Sequence, residues 1–131
     1  MNSNGTNGRS TLLVIDDEHP FSKDLTGELG AGRFDVRRAC NAQEALDLLD
    51  QFQPDAILVD MILPDVSGLA LLRRLRSSIE HRQLPIVVTS GLAMEGDEKE
   101  AISAGASGFL TKPFTLSDVE EAISPGLSKS H

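Results

Sequence analysis

Apolar residues fall into short blocks separated by stretches of longer period, and the two kinds of pattern alternate along the chain. Leu12 to Ile15, Phe34 to Cys40, Ala56 to Val59, Ile86 to Thr89 and Gly108 to Thr111 are brief and rich in β-branched or aromatic residues, the signature of strands. Ala56 to Val59 is apolar without interruption, as expected of a strand buried on both faces of a parallel sheet. Between the blocks the spacing becomes helical. Phe21, Leu25 and Leu29 recur every four residues, and Gly30 to Gly32 ends that segment. Asn41 is placed to cap a helix carrying Ala45, Leu46, Leu48 and Leu49, and Pro54 marks its far side. A third helix is expected over Gly68 to Ser77 and a weaker one over Asp97 to Ala104. The last, Leu116 to Ile123, is expected to stop at Pro125 and Gly126. No segment repeats at a fixed period.

Strands joined by single helices run parallel with right-handed crossovers, so one sheet carries helices on both faces. The expected class is therefore α/β, a doubly wound parallel sheet. The chain has 131 residues, enough for one domain with a substantial core. That domain is expected over residues 11–124. Residues 1–10, MNSNGTNGRS, have nothing to bury and are expected to be disordered; residues 125–131 are expected to form a flexible tail.

Charge narrows the function. Twenty Asp and Glu against twelve Lys and Arg give a formal net charge of -8, which disfavours direct binding to nucleic acid and favours cations or basic protein partners. The apolar runs are too short to span a bilayer, so no membrane association is expected. Cys40 is the one cysteine, which excludes an internal disulfide, and the N-terminus lacks the pattern of an export signal. A cytoplasmic location is the default expectation. Neither Cys40 nor the three histidines fall into a metal-ligand spacing.

In doubly wound sheets, ligands sit outside the carboxyl ends of the strands. Asp16 and Asp17 follow the first strand, Asp60 ends the third, Thr89 ends the fourth and Lys112 follows the fifth. All five polar groups should therefore emerge at one edge. Taken singly, each has an ordinary role: a helix cap for Asp16 or Asp17, a turn for Asp60, a solvated loop for Lys112, a β-branched strand residue for Thr89. Together they point to chemistry. Three adjacent carboxylates repel one another unless a cation joins them, and a hard divalent ion such as Mg²⁺ suits an all-oxygen donor set. Asp60, placed at the end of an apolar strand where a bare carboxylate is costly, then has the makings of a nucleophile toward a phosphoryl group. The metal, Lys112 and the Thr89 hydroxyl would spread charge on the transferring oxygens.

The segments IDDE (Ile15 to Glu18), VDMILPDVSG (Val59 to Gly68), VVTSG (Val87 to Gly91) and AGASGFLTKPF (Ala104 to Phe114), in this order and spacing, resemble the receiver domain of two-component response regulators. The resemblance covers roughly Thr11 to Ile123. It implies a flavodoxin-like (βα)5 fold with a five-stranded sheet in the order 2-1-3-4-5. It also implies that Asp60 accepts a phosphoryl group from a histidine kinase or histidine phosphotransfer protein. Asp16, Asp17, Asp60 and the backbone carbonyl of Ile62 would hold Mg²⁺, Lys112 would pair with the phosphoryl group, and Thr89 and Phe109 would act as the switch. The downstream target is unspecified, and the chain is expected to be a monomer or a phosphorylation-dependent dimer.

Such a protein has no separate turnover substrate. Two other classes share part of the pattern. A phosphorylation-independent receiver-like binding module would usually have lost one of the charged residues retained here. An aspartyl-phosphate hydrolase of the haloacid-dehalogenase type wants a second Asp two residues after the nucleophile, where this chain has Ile62. The 19 residues after Lys112 are too few for an output domain, so a stand-alone regulator and a receiver within a longer protein are both open.

Overall fold

The computed structural model describes residues 10–17 and 34–128. The segment expected to be disordered lies outside them but for Ser10, as does the helix expected over Phe21 to Leu29. Within the described residues the elements are β1 (Ser10–Ile15), β2 (Phe34–Ala39), α1 (Ala42–Leu49), β3 (Ala56–Asp60), α2 (Gly68–Arg76), β4 (Ile86–Ser90), α3 (Asp97–Ala104), β5 (Gly108–Thr111) and α4 (Leu116–Ser128). The five strands form one sheet in the order β2-β1-β3-β4-β5, and every neighbouring pair is parallel. This is the doubly wound order the sequence resemblance implies.

The apolar pattern explains why the sheet is covered twice. Alternate strand residues point to opposite faces. Leu13, Ile15, Ile57, Val59, Ile86 and Val88 form one core with Ala42 and Ala45 of α1, Leu69, Leu71, Leu72 and Leu75 of α2, and Ala101 of α3. Leu12, Val14, Leu58 and Val87 form the other with Val119 and Ile123 of α4. All of β3 is buried, Asp60 included.

Local chemistry sets the helix starts. The Asn41 side chain accepts from the Glu44 N–H at 2.7 Å, and the Ser67 hydroxyl accepts from the Ala70 N–H at 3.0 Å. Arg76 fastens the far end of α2. Its Nε donates to the Gly105 carbonyl and its Nη1 to the His81 carbonyl, both at 2.7 Å, while Nη2 reaches the Ser107 hydroxyl at 3.3 Å. Burial lowers the Arg76 pKa from its ordinary value, without removing the charge these bonds use.

The last helix departs from expectation. It runs through Pro125 and Gly126 to Ser128 instead of ending near Ile123. Proline costs a helix one hydrogen bond, but propensity is a weak prior. Here the preceding turns are fixed on the sheet by the fully buried Val119 and Ile123. Among the described residues, no helix is long and apolar enough to cross a membrane.

Candidate functional site

Parallel pairing in register brings the strand ends together. Val59 lies opposite Ile15 on β1, and Asp60 lies opposite Thr89 on β4. Asp16 is therefore beside Asp60, held there by its N–H, which donates to the Ala39 carbonyl on β2 at 3.0 Å. Ser90 pairs with Thr111, and its carbonyl accepts from the Lys112 N–H at 2.8 Å, which places Lys112 one step beyond β5 at the same edge. A cis peptide bond joins Lys112 to Pro113.

The side chains converge as well. Carboxylate oxygens of Asp16, Asp17 and Asp60 all lie within 4.8 Å of one another, Asp16 and Asp60 buried and Asp17 exposed. Lys112 Nζ sits 2.9 Å from Asp60 Oδ2 and 2.9 Å from Asp16 Oδ2. Asp60 Oδ1 accepts from the Ile62 N–H at 3.1 Å. Both oxygens of the buried carboxylate are thus satisfied, which accounts for a charge at the end of an apolar strand. Among the described residues, one ammonium faces three carboxylates in the cluster. Such a set of hard oxygen donors, one of them open to solvent, fits a divalent cation with room for water and substrate oxygens.

Thr89 is buried on β4 at the same edge, and its carbonyl accepts from the Met61 N–H at 2.8 Å. Phe109 is half-buried and lies opposite Val88, on the core face that α3 covers; the β5 partner of Thr89 itself is Leu110. Phe109 therefore stands one residue behind Thr89. The exposed edge around the carboxylates carries apolar side chains, with Ile62 at 75% and Leu92 at 78% exposure. The structure brings Asp16, Asp17, Asp60 and Lys112 into one cluster, with Ile62 bonded to it through its backbone.

Two residues that the sequence did not single out bond the segments around this cluster. Arg38 Nη2 approaches the Asp16 backbone carbonyl at 3.4 Å. Asp65 accepts from the N–H groups of Ala42, Gln43 and Val66, each at 3.0 Å. The Ala42 N–H foremost, against a desolvation effect in the other direction and with help from Gln43 and Val66, holds the exposed Asp65 carboxyl below the usual carboxylate range. The only sequence signal for Asp65 was an acidic residue after Pro64, which reads as a turn.

Residues 12–124 match the response regulator receiver domain family. Among curated proteins, the chain is 31% identical over 113 residues to the polar-differentiation response regulator DivK of Brucella anthropi, covering 86% of this chain and 92% of the relative. Among solved structures, a putative response regulator from Chloroflexus aurantiacus superposes with a TM-score of 0.82 at 29% identity, covering 88% of this chain and 98% of that one. A response regulator from Burkholderia pseudomallei, solved with a phosphorylated aspartic acid, calcium ion and citrate, gives a TM-score of 0.81 at 30% identity, covering 92% of this chain and 70% of that one.

Proposed function

This chain belongs to the response regulator receiver family, and from that premise we propose that Asp60 is its phosphoacceptor, taking a phosphoryl group from a histidine kinase or histidine phosphotransfer protein. The observation that carries the reading is the buried Asp60 carboxylate, with Lys112 Nζ at 2.9 Å and the Asp16 and Asp17 carboxylates beside it. The Burkholderia relative, described with a phosphorylated aspartic acid and a calcium ion, supports both the chemistry and the class of cation.

In this reading an Asp60 oxygen attacks phosphorus in line with the leaving imidazole nitrogen. The O–P bond forms as the N–P bond breaks, the bond pair stays on the imidazole, and the product is an acyl phosphate. Each residue has a separate part. Strand β3 fixes the direction of attack, because Asp60 is its last residue and its neighbours are buried. Lys112, bonded to Asp60 before reaction, is already in place to pair with the incoming phosphoryl oxygens. Asp16, Asp17, Asp60 and the Ile62 carbonyl would hold Mg²⁺, which when bound supplies positive charge to those oxygens.

The output is a protein-protein contact. Phosphorylation adds about -1.5 to -2 charges near neutral pH, and the new oxygens draw the Thr89 hydroxyl inward. Phe109, one residue behind Thr89 and half-buried, then turns toward the vacated space. Movement there reaches α3, which buries Ala101 alone and carries Asp97, Glu98 and Glu100 in its first turn. A partner with a basic surface suits that face.

The test is incubation of the protein with Mg²⁺ and a small acyl phosphate, followed by peptide mapping. A single phosphoryl adduct on Asp60, absent in Asp60→Asn, is expected. An adduct elsewhere, or steady turnover of added phosphomonoesters, would overturn the assignment.

A further inference from the structure

Asp65 belongs to the loop that leaves Asp60, yet its bonds go to a different helix. The first N–H groups of a helix have no partner within it. In α1 the Asn41 side chain serves the Glu44 N–H, and the Glu44 carboxylate in turn accepts from the Cys40 N–H at 2.6 Å. The Ala42 and Gln43 N–H groups are left to Asp65, with Oδ1 taking Ala42 and Oδ2 taking Gln43. Oδ1 also accepts from the Val66 N–H, which fixes the carboxylate against its own loop.

The loop is thereby fastened at both ends. At the near end the Ile62 N–H donates to Asp60 Oδ1 and the Met61 N–H to the Thr89 carbonyl. Ile62 and Ser67 bridge across the loop, and the Gly68 N–H returns to the Met61 carbonyl at 2.8 Å. Those bonds set the base of the loop. They do not fix its outer turn, Leu63 to Val66, and the peptide joining Ile62 to Leu63 lies between the two regions. Leu63 is buried, but apolar packing is not directional. Two directional bonds from Asp65 to a helix end are.

We propose that Asp65 is a positioning residue of the phosphoacceptor site: its clasp on the start of α1 holds the outer turn so that the Ile62 carbonyl keeps the orientation required of a cation ligand. The inference rests on the reading of Asp16, Asp17, Asp60 and Ile62 as the cation site. It differs from a helix-capping role in one consequence. A cap acts on α1 alone, whereas a clasp acts on a ligand two elements away. Partners that orient metal ligands typically change affinity by about 10- to 100-fold when removed.

Asn41 supplies the control, since Asn41→Ala removes a cap from the same helix without touching the loop. Mg²⁺ is titrated into the wild type, Asp65→Ala, Asp65→Asn and Asn41→Ala, with no phosphodonor present, and followed by the amide resonances of Asp60 to Leu63. Hydrogen exchange of the Ile62 amide is measured without metal. Asp65→Ala is expected to raise the half-saturating Mg²⁺ concentration about tenfold and to speed Ile62 exchange. Asp65→Asn, which keeps one carbonyl oxygen for Ala42, should fall between it and the wild type, and it carries the test if the alanine variant fails to fold. Asn41→Ala should leave both readouts unchanged. Equal weakening in Asn41→Ala and Asp65→Ala would reduce Asp65 to a helix cap, and wild-type values in both Asp65 variants would remove any role. Absence of Mg²⁺ binding in the wild type would overturn the cation reading itself. Ile62 exchange then decides the clasp separately, with unchanged exchange in the Asp65 variants overturning it.

Discussion

Gly68→Ala is the substitution most directly opposed by the backbone around Asp60. A Cβ on Gly68 would lie 2.0 Å from the Asp60 carbonyl oxygen, 2.9 Å from its carbonyl carbon and 3.0 Å from Met61 Cα. Ordinary contact starts at 3.4 Å, so the helix start and the end of β3 must separate by about 1.4 Å. No flexible side chain can absorb the shift, because every atom in the way is backbone. Overpacking of this kind costs about 1–3 kcal/mol. Displacing Gly68 also weakens the bond from its N–H to the Met61 carbonyl, for a further ~1 kcal/mol. The expected destabilisation is about 2–4 kcal/mol by these figures. Function should suffer more than stability alone suggests, since misplacing a reacting group by 1 Å can cost about 100-fold in rate. Urea unfolding gives the first quantity, and phosphorylation by a small acyl phosphate under fully folded conditions gives the second. A Gly68→Ala protein with a wild-type midpoint and wild-type rate would refute the close-approach reasoning.

Arg76→Lys keeps the charge but cannot serve Gly105, His81 and Ser107 together, and should lose roughly 1–3 kcal/mol in denaturant unfolding; an unchanged midpoint would show that the fork is dispensable. Ile62 is 75% exposed two residues after the proposed phosphoacceptor and has no group to orient water, so Ile62→Asn should dephosphorylate faster than the wild type, measured as decay of the Asp60 adduct after removal of phosphodonor. A slower decay in the variant would count against that reasoning. Thr89→Ala should still accept a phosphoryl group on Asp60 while the amide resonances of α3 and β5 shift little. A full set of wild-type shifts would place the coupling elsewhere.

Much of the site was legible because parallel topology does the gathering. Once Leu12 to Ile15, Ala56 to Val59, Ile86 to Thr89 and Gly108 to Thr111 are recognised as parallel strands, Asp16, Asp17, Asp60, Thr89 and Lys112 have to meet at one edge, whatever the details of packing. What escaped the sequence depends on backbone geometry. Asp65 finds its partners 22 and 23 positions away, and they are N–H groups that every residue except proline carries, so no side-chain pattern marks them. The approach of Gly68 to the Asp60 carbonyl is likewise invisible without the turn that creates it. The error at α4 has another source. Pro125 is a local stop signal, whereas Val119 and Ile123 are fully buried in one core with Leu12, Val14, Leu58 and Val87, and the tertiary contribution prevailed.

The proposed switch has to work within a narrow energy range, and the architecture bears on whether it can. Moving a population from 1:99 to 99:1 takes about 5.5 kcal/mol of preference for one state. Charge-assisted hydrogen bonds contribute about 1.5–3 kcal/mol each. Two new contacts to the phosphoryl group, from Lys112 and Thr89, supply about 3–6 kcal/mol on that scale. Part of the Lys112 contribution is not new, because its ammonium already bonds Asp16 and Asp60 before phosphorylation. The net gain is therefore modest, and a deeply packed output element would absorb it. The element next to Phe109 is not deeply packed: α3 is eight residues long, begins at Gly96 with φ 93°, has no side-chain cap and buries Ala101 alone. By contrast α2, on the same face, buries Leu69, Leu71, Leu72 and Leu75 and is tied down by Arg76. Segments with few buried apolar contacts are those that move at low cost. In the proposed switch, α3 is the element such a gain would shift at least cost, while β3, α2 and the carboxylate cluster would stay in place.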